Sequence, residues 1–258
     1  FKFQNIKKFK KFKYYRIFGM GGSSLGAEAI YYFLNRKIKK RFSFVNDIDL
    51  SHNKTNKINQ LNIIISKSGN TLETLTNLNY QKVKKNCLFI TENKNSYLRN
   101  LALKLKSEII DHNNFIGGRY SVLSETGMIP AFFMGLEPNN FKRLDNLISS
   151  NKFINMLTYN VSSIYSFHQK KKNNSIILNY DENSNNLFYW YQQLVAESLG
   201  KSSKGILPII SPVPKDNHSV MQLYLDGFKK NFFTFFYVMD NNSKKIENKS
   251  LLNSHKYL

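Results

Sequence analysis

Short apolar runs alternate with stretches of helical periodicity along this chain, and turns rich in glycine and serine stand where one passes into the other. Residues 14–18, 61–65 and 87–90 are too short for surface helices. Runs of this kind are the strands of a parallel sheet covered on both faces. Further strands are expected at residues 42–45 and 108–110, with helices at 25–34, 71–83, 96–105 and from Ser124 toward Gly135. The pattern weakens into a polar amphipathic stretch at residues 138–151. A second alternation follows, with strands at 176–180, 207–210 and 231–238 and helices at 187–199 and 219–226. The expected fold is therefore α/β, with two doubly wound parallel-sheet units carrying helices on both faces. The units are placed at residues 1–150 and 151–258, the second shorter and stopping early.

Two of the turns have the composition of a phosphate cradle. Gly19-Met20-Gly21-Gly22-Ser23-Ser24-Leu25-Gly26 and Ser66-Lys67-Ser68-Gly69-Asn70-Thr71 each lie between a strand pattern and a helix pattern. Amides at the start of a helix lack intrahelical acceptors, and the helix dipole adds positive potential there, so such turns accommodate a phosphate dianion. Ser66, Ser68 and Thr71 could instead cap the following helix, but capping uses one hydroxyl rather than three. A dinucleotide reading of the first turn would need an acid at the end of the second strand, for which Asp47 or Asp49 is available. It would leave the second turn unexplained.

With 41% apolar and 14% aromatic residues in 258, the chain fills a substantial core. No apolar run approaches the roughly 20 residues that cross a bilayer, so no membrane partner is expected. The one cysteine, Cys87, lies in a buried-strand pattern and reads as a small core residue in a reducing, cytoplasmic setting. The formal net charge is +21. Its lysines are spread along the chain, with the densest runs at residues 7–13 and 170–172. They read as solvated surface, and no nucleic-acid partner is expected. No His/Cys/Asp spacing suits a metal. Of the five histidines, His52, His112, His168 and His255 read as surface residues, and His218 stands apart at a loop-to-helix junction.

Three further segments carry chemistry. Gly117-Gly118-Arg119-Tyr120-Ser121 places an arginine beside two glycines at a helix entrance, where it could approach a ligand and stabilise an oxyanion. In Trp190-Tyr191-Gln192-Gln193-Leu194-Val195-Ala196-Glu197, the four-residue spacing puts Gln193 and Glu197 on one helix face, and partial burial would raise Glu197 toward a useful proton shuttle. In Asp216-Asn217-His218-Ser219, the histidine suits acid/base work.

Taken in order, GMGGSSLG, SKSGNTLET, GGRYSVLSETGMIPA, AESLGK and DNHSVMQL resemble the glucose-6-phosphate isomerase family over most of the chain. The resemblance implies two sugar-isomerase (SIS) type domains and aldose–ketose interconversion of glucose 6-phosphate and fructose 6-phosphate, through ring opening and a cis-enediolate, without metal or cofactor. It implies phosphate binding by Ser23, Ser66, Ser68 and Thr71, with Gly22, Lys67, Gly69, Asn70 and Gln193 lining the same pocket. Glu197 matches the base acting between C2 and C1, Arg119 the residue beside the enediolate, and His218 the residue assisting ring opening. In the family that histidine comes from the neighbouring subunit, which implies a homodimer. The chain departs from the family at Leu199 and Asn217, and nothing after Val238 matches the family's ring-opening lysine motif. It begins without methionine, and these features together suggest an incomplete copy. Two milder readings are a non-catalytic sugar-phosphate-binding module and a bifunctional glucose/mannose-6-phosphate isomerase.

Overall fold

A computed structural model describes residues 3–48 and 59–239. Asp49, His52 and His255 lie outside the described residues. The first sheet has five strands, β1 (Tyr14–Phe18), β2 (Arg41–Val45), β3 (Gln60–Ile65), β4 (Cys87–Thr91) and β5 (Glu108–Asp111). They run in the spatial order β2-β1-β3-β4-β5, with every neighbouring pair parallel. The helices between them are α1 (Leu25–Phe33), α2 (Leu72–Tyr80) and α3 (Tyr97–Lys104), and α4 (Glu125–Met134) follows β5.

Alternation along each strand builds two cores. Leu61, Ile63 and Ile65 of β3, with Leu88 and Ile90 of β4, face a cluster that includes Ala27 and Ile30 of α1 and Ile129 and Phe133 of α4. Ile64 and Phe89 point the other way, onto Leu78 of α2 and Leu98 and Ala102 of α3. This two-residue alternation is what a pleated strand dictates when both faces are covered. Each fully buried Ile or Leu contributes about 1.5–3 kcal/mol.

The amino-terminal segment differs from the solvated basic run expected there. Phe3–Lys11 is a 3-10 helix. Its apolar residues recur every three positions, as Phe3, Ile6, Phe9 and then Phe12. A 3-10 helix has three residues per turn, so these side chains share a face. Ile6 and Phe12 are buried, Phe3 stacks on Phe132 at 4.8 Å, and Phe9 meets the edge of Phe133 at 6.5 Å. The lysines of the run are exposed, as expected.

Past a short helix, α5 (Leu144–Ile148), comes a 19-residue helix, α6 (Asn151–Gln169), which the sequence pattern does not predict. The second sheet consists of β6 (Asn174–Asn179), β7 (Leu207–Pro212) and β8 (Asn231–Phe236), all parallel, in the order β7-β6-β8. Helix α7 (Asn185–Leu199) joins β6 to β7, and α8 (Met221–Asp226) joins β7 to β8. Helix α7 also packs against α1, which brings the second unit onto the first. Among the described residues no helix is long and apolar enough to cross a membrane.

Candidate active site

The first sheet's strand order reverses between β1 and β3, and the crevice outside the carboxyl ends of those strands is where open α/β sheets bind ligands. Both cradle-like turns emerge there, one after β1 and one after β3. In the second turn, Ser66 Oγ and Thr71 Oγ1 are 2.8 Å apart, Ser66 Oγ and Ser68 Oγ are 3.5 Å apart, and Ser66 Oγ accepts from the Gly69 amide at 3.1 Å. Three hydroxyls therefore converge on one point. Gly69 holds a positive φ of 67°, and a Cβ there would collide with Ser96. Asn70 faces away from the hydroxyls, its Oδ1 accepting from the Tyr97 amide at 2.9 Å and so tying the turn to α3.

In the first turn, Ser23 is half-buried, and Gly22 packs against the segment that carries Arg119. A Cβ on Gly22 would overlap the Gly118 carbonyl, and Ser121 Oγ donates to the Gly22 carbonyl at 3.1 Å. Glycine is required here for close approach of two backbones. The cradle and the arginine loop are thus one packed unit.

Helix α7 closes the other side. Arg119 Nη1 lies 3.4 Å from Glu197 Oε2, and Arg119 Nε donates to Ser198 Oγ at 2.9 Å. Gln193 Nε2 donates to Glu197 Oε1 at 2.7 Å, the contact expected from their four-residue spacing. Gln193 also reaches Gly21 of the first turn, so it bridges the cradle and the carboxylate. Glu197 is 48% exposed, so the burial expected to activate it is not found in this chain.

Lys67 extends across the mouth of the second turn. Its Nζ donates to the Asn114 carbonyl at 3.0 Å and the Ile116 carbonyl at 2.8 Å, and lies 3.5 Å from Glu92 Oε1. Glu92 also pairs with Lys94. Lys94 and then Lys67 hold the Glu92 carboxyl below its ordinary range. The ammonium thus fastens the loop leading to Arg119.

His218 ends the 3-10 turn Lys215–His218 after β7, and its side chain is exposed. Among the described residues no hydrogen bond or ion pair joins it to Arg119, Gln193 or Glu197. His112, expected at the surface, is only 2% exposed, because its amide extends the β5 pairing to the Thr91 carbonyl and its Nδ1 sits 2.8 Å from the Asn113 carbonyl. His168 is half-buried and meets Asn173 Oδ1 at 2.7 Å. Asp47 has its carboxylate occupied by the Ile48 amide at 2.7 Å. Among the described residues no three His, Cys, Asp or Glu side chains gather in a way that could hold a metal ion.

Three contributors to the site are not singled out by the sequence pattern. Ser198 and Tyr120 flank Arg119, and the Trp190 indole donates to the Arg119 carbonyl at 3.2 Å. Ser198 and Tyr120 are direct sequence neighbours of Glu197 and Arg119. Adjacent helical positions diverge by about 100°, so adjacency alone does not bring them to one ligand.

Two parallel sheets, a cradle at the switch point and a helix from the second unit closing it define a sugar-isomerase type of α/β protein. The fold is shared with a hypothetical protein, TT0462, of Thermus thermophilus, at a TM-score of 0.78 and 21% identity over 97% of this chain and 68% of that one. It is shared less fully with the tagatose-6-phosphate ketose/aldose isomerase of Escherichia coli, at a TM-score of 0.56 and 16% identity over 83% and 60% of the two chains. The family model of phosphoglucose isomerase matches residues 6–206, and the chain belongs to that family. It is 34% identical to the glucose-6-phosphate isomerase of Methanocaldococcus jannaschii across 90% of this chain and 62% of that one. The corresponding enzyme of Campylobacter jejuni is likewise 34% identical, across 86% and 60%. The chain thus spans about 60% of the length of these relatives.

Proposed function

We propose that the chain carries the phosphate anchor and the proton-transferring groups of an isomerase interconverting glucose 6-phosphate and fructose 6-phosphate. In this reading the hydroxyls of Ser23, Ser66, Ser68 and Thr71, with the amides of Gly22, Gly69 and Asn70, hold the phosphate, while Lys67 and Gln193 shape the pocket. His218 of a second copy assists opening of the sugar ring. The Glu197 carboxylate then removes the proton on C2, and the C–H electron pair forms the C1=C2 double bond as O1 takes up negative charge. Arg119 stabilises that enediolate. Return of the proton from Glu197 to C1, with the O2 proton passing to O1, turns the enediolate oxygen back into a hydroxyl at C1 and leaves the ketose carbonyl at C2. We place the two domains at residues 1–150 and 151–258, of which residues 240–258 lie outside the described part, and we place the protein in the cytoplasm as a homodimer.

The observation that carries this reading is the meeting of Arg119 with Glu197, side chains far apart in sequence, beside a cradle of three converging hydroxyls. A cation next to a carboxylate, both beside a phosphate site, is the minimum apparatus for moving a proton between adjacent carbons of a phosphosugar. The exposure of Glu197 favours a second reading, a sugar-phosphate-binding module without turnover, because water reaches a carboxylate that the isomerase chemistry would need sequestered. Formation of fructose 6-phosphate from glucose 6-phosphate, followed by a coupled assay on the full-length protein, decides between them. Glu197→Gln should lower the rate by about 10²–10⁴-fold while phosphosugar binding persists. No turnover by the intact wild-type protein refutes the isomerase.

A further inference from the structure

The ion pair between Arg119 and Glu197 is not the tightest hold on the guanidinium. At 3.4 Å it is longer than a charge-assisted hydrogen bond ordinarily is, whereas the Ser198 hydroxyl meets Nε at 2.9 Å. That same hydroxyl is 2.9 Å from the Tyr120 hydroxyl, and the guanidinium carbon sits 4.6 Å from the centre of the Tyr120 ring. The Trp190 indole fixes the Arg119 backbone from beneath. The arginine is therefore gripped along its Nε edge, on one face and at its carbonyl.

The direction of the Ser198 hydroxyl is the informative part. Serine and threonine inside a helix ordinarily donate back to a carbonyl one turn earlier. This protein does so twice in α6, where Thr158 donates to the Ile154 carbonyl and Ser163 to the Tyr159 carbonyl, each at 2.9 Å. Ser198, one residue from the end of α7, turns instead toward Arg119 and Tyr120. A hydroxyl that forgoes its local acceptor to brace an arginine beside the carboxylate of the site is aligned with the chemistry of that site.

We propose that Ser198 is a positioning residue: braced by Tyr120, it fixes the Nε edge of Arg119 so that the outer guanidinium N–H groups are aimed at the developing oxyanion. The inference rests on the isomerase reading above. Pre-aimed donors matter most for the charge that forms in the transition state and least for the phosphate already bound in the ground state. Loss of Ser198 should therefore weaken an enediolate mimic and spare the anchor.

The probes are a five-carbon aldonate phosphate, whose planar carboxylate imitates the enediolate, and inorganic phosphate, each titrated calorimetrically. Ser198→Ala should weaken the aldonate phosphate by about tenfold, the size expected for one hydrogen bond to a charged group. Inorganic phosphate should bind within about twofold of wild type, and Ser198→Thr should restore the aldonate phosphate. A second readout is the Arg119 Nε–H proton resonance, which should exchange slowly in wild type and Ser198→Thr and rapidly in Ser198→Ala. Wild-type affinity of Ser198→Ala for the aldonate phosphate overturns the inference alone, as does equal weakening of both anions. A wild-type protein that binds phosphate and ignores the aldonate phosphate overturns the isomerase reading and this inference with it.

Discussion

Replacing Lys67 by methionine keeps the aliphatic stem and removes the ammonium, and the structure sets the expected cost. Two bonds from a charged donor to carbonyls are lost, at 3.0 and 2.8 Å, along with the 3.5 Å approach to Glu92. Hydrogen bonds involving a charge contribute about 1.5–3 kcal/mol each. The lysine side chain is 30% exposed, so water replaces part of what is lost, and a net destabilisation of roughly 2 kcal/mol follows. In a domain of 150–250 residues, 1 kcal/mol moves Tm by about 2–4 °C, so Lys67→Met should melt roughly 4–8 °C lower at pH 7. The pH dependence has a definite sign. Glu92 is held below its ordinary carboxyl range, first by Lys94 and then by Lys67, so the stability it contributes is present above the unfolded value near 4.5 and is lost as pH falls through the depressed value. The gap between wild type and variant should accordingly be widest at neutral pH and should narrow, without closing, below pH 4.5, because the two carbonyl bonds do not titrate. Thermal unfolding followed by far-ultraviolet circular dichroism at pH 7 and pH 3.5 makes the comparison. A shift under about 1 °C at pH 7, or a gap that widens in acid, refutes the claim that this ammonium fastens the loop leading to Arg119.

Two further outcomes follow from buried groups. Burial raises the Glu28 carboxyl above its ordinary value, against the lowering by the hydrogen bond from the Asn46 amide at 2.8 Å. Its ionised form is thus a cost to the folded state that is absent in acid and complete above the raised value. Glu28→Gln should match or exceed wild-type stability at pH 8 and lose any advantage at pH 4, as read from urea midpoints; a variant markedly less stable at pH 8 would sink this account. Burial pushes the Cys87 thiol up to about 11, so at pH 8 an aromatic disulfide reagent should titrate no thiol until denaturant unfolds the chain.

What was legible in the sequence was what local chemistry and alternation decide. The strands of the first sheet begin and end within one residue of their expected positions; β1 and β3, buried almost throughout, are largely apolar and stop where Gly19 and Ser66 take over. The positions of the two glycine- and serine-rich turns, after β1 and after β3, were legible from the same boundaries. Helix α6 was not. Ile154, Leu157, Val161 and Tyr165 recur at helical spacing, but Met156 and Tyr159 interrupt the polar face, all six remain exposed, and its asparagines favour the helix weakly. The usable signal was Ser150, whose side chain accepts from the Phe153 amide at 3.4 Å as an N-cap. The basic segment at the amino terminus failed differently: its period is three, and a search for 3.6 passes over it.

The lysines show how topology makes order from residues that have none along the chain. Lys13 precedes β1, Lys39 precedes β2, Lys84 and Lys85 precede β4, and Lys104 and Lys106 precede β5. Spread through the sequence, they look like compositional drift. Parallel pairing puts the amino ends of those strands on one side of the sheet, so the same lysines are gathered there. The physical reason is local: a parallel strand begins where the preceding helix or turn ends, and cations are favoured beside the unsatisfied carbonyls of a helix carboxyl terminus. Asp47, Glu92 and Asp111 stand at the opposite, carboxyl ends of β2, β4 and β5. The two turns with their hydroxyls and backbone amides open on that second side, so on the proposed reading selectivity for a phosphate is set by hydrogen-bond geometry at the switch point rather than by the net charge of +21. Charge of that size raises the encounter rate of any anion, whereas on the proposed reading the three hydroxyls and Arg119 decide which anion stays.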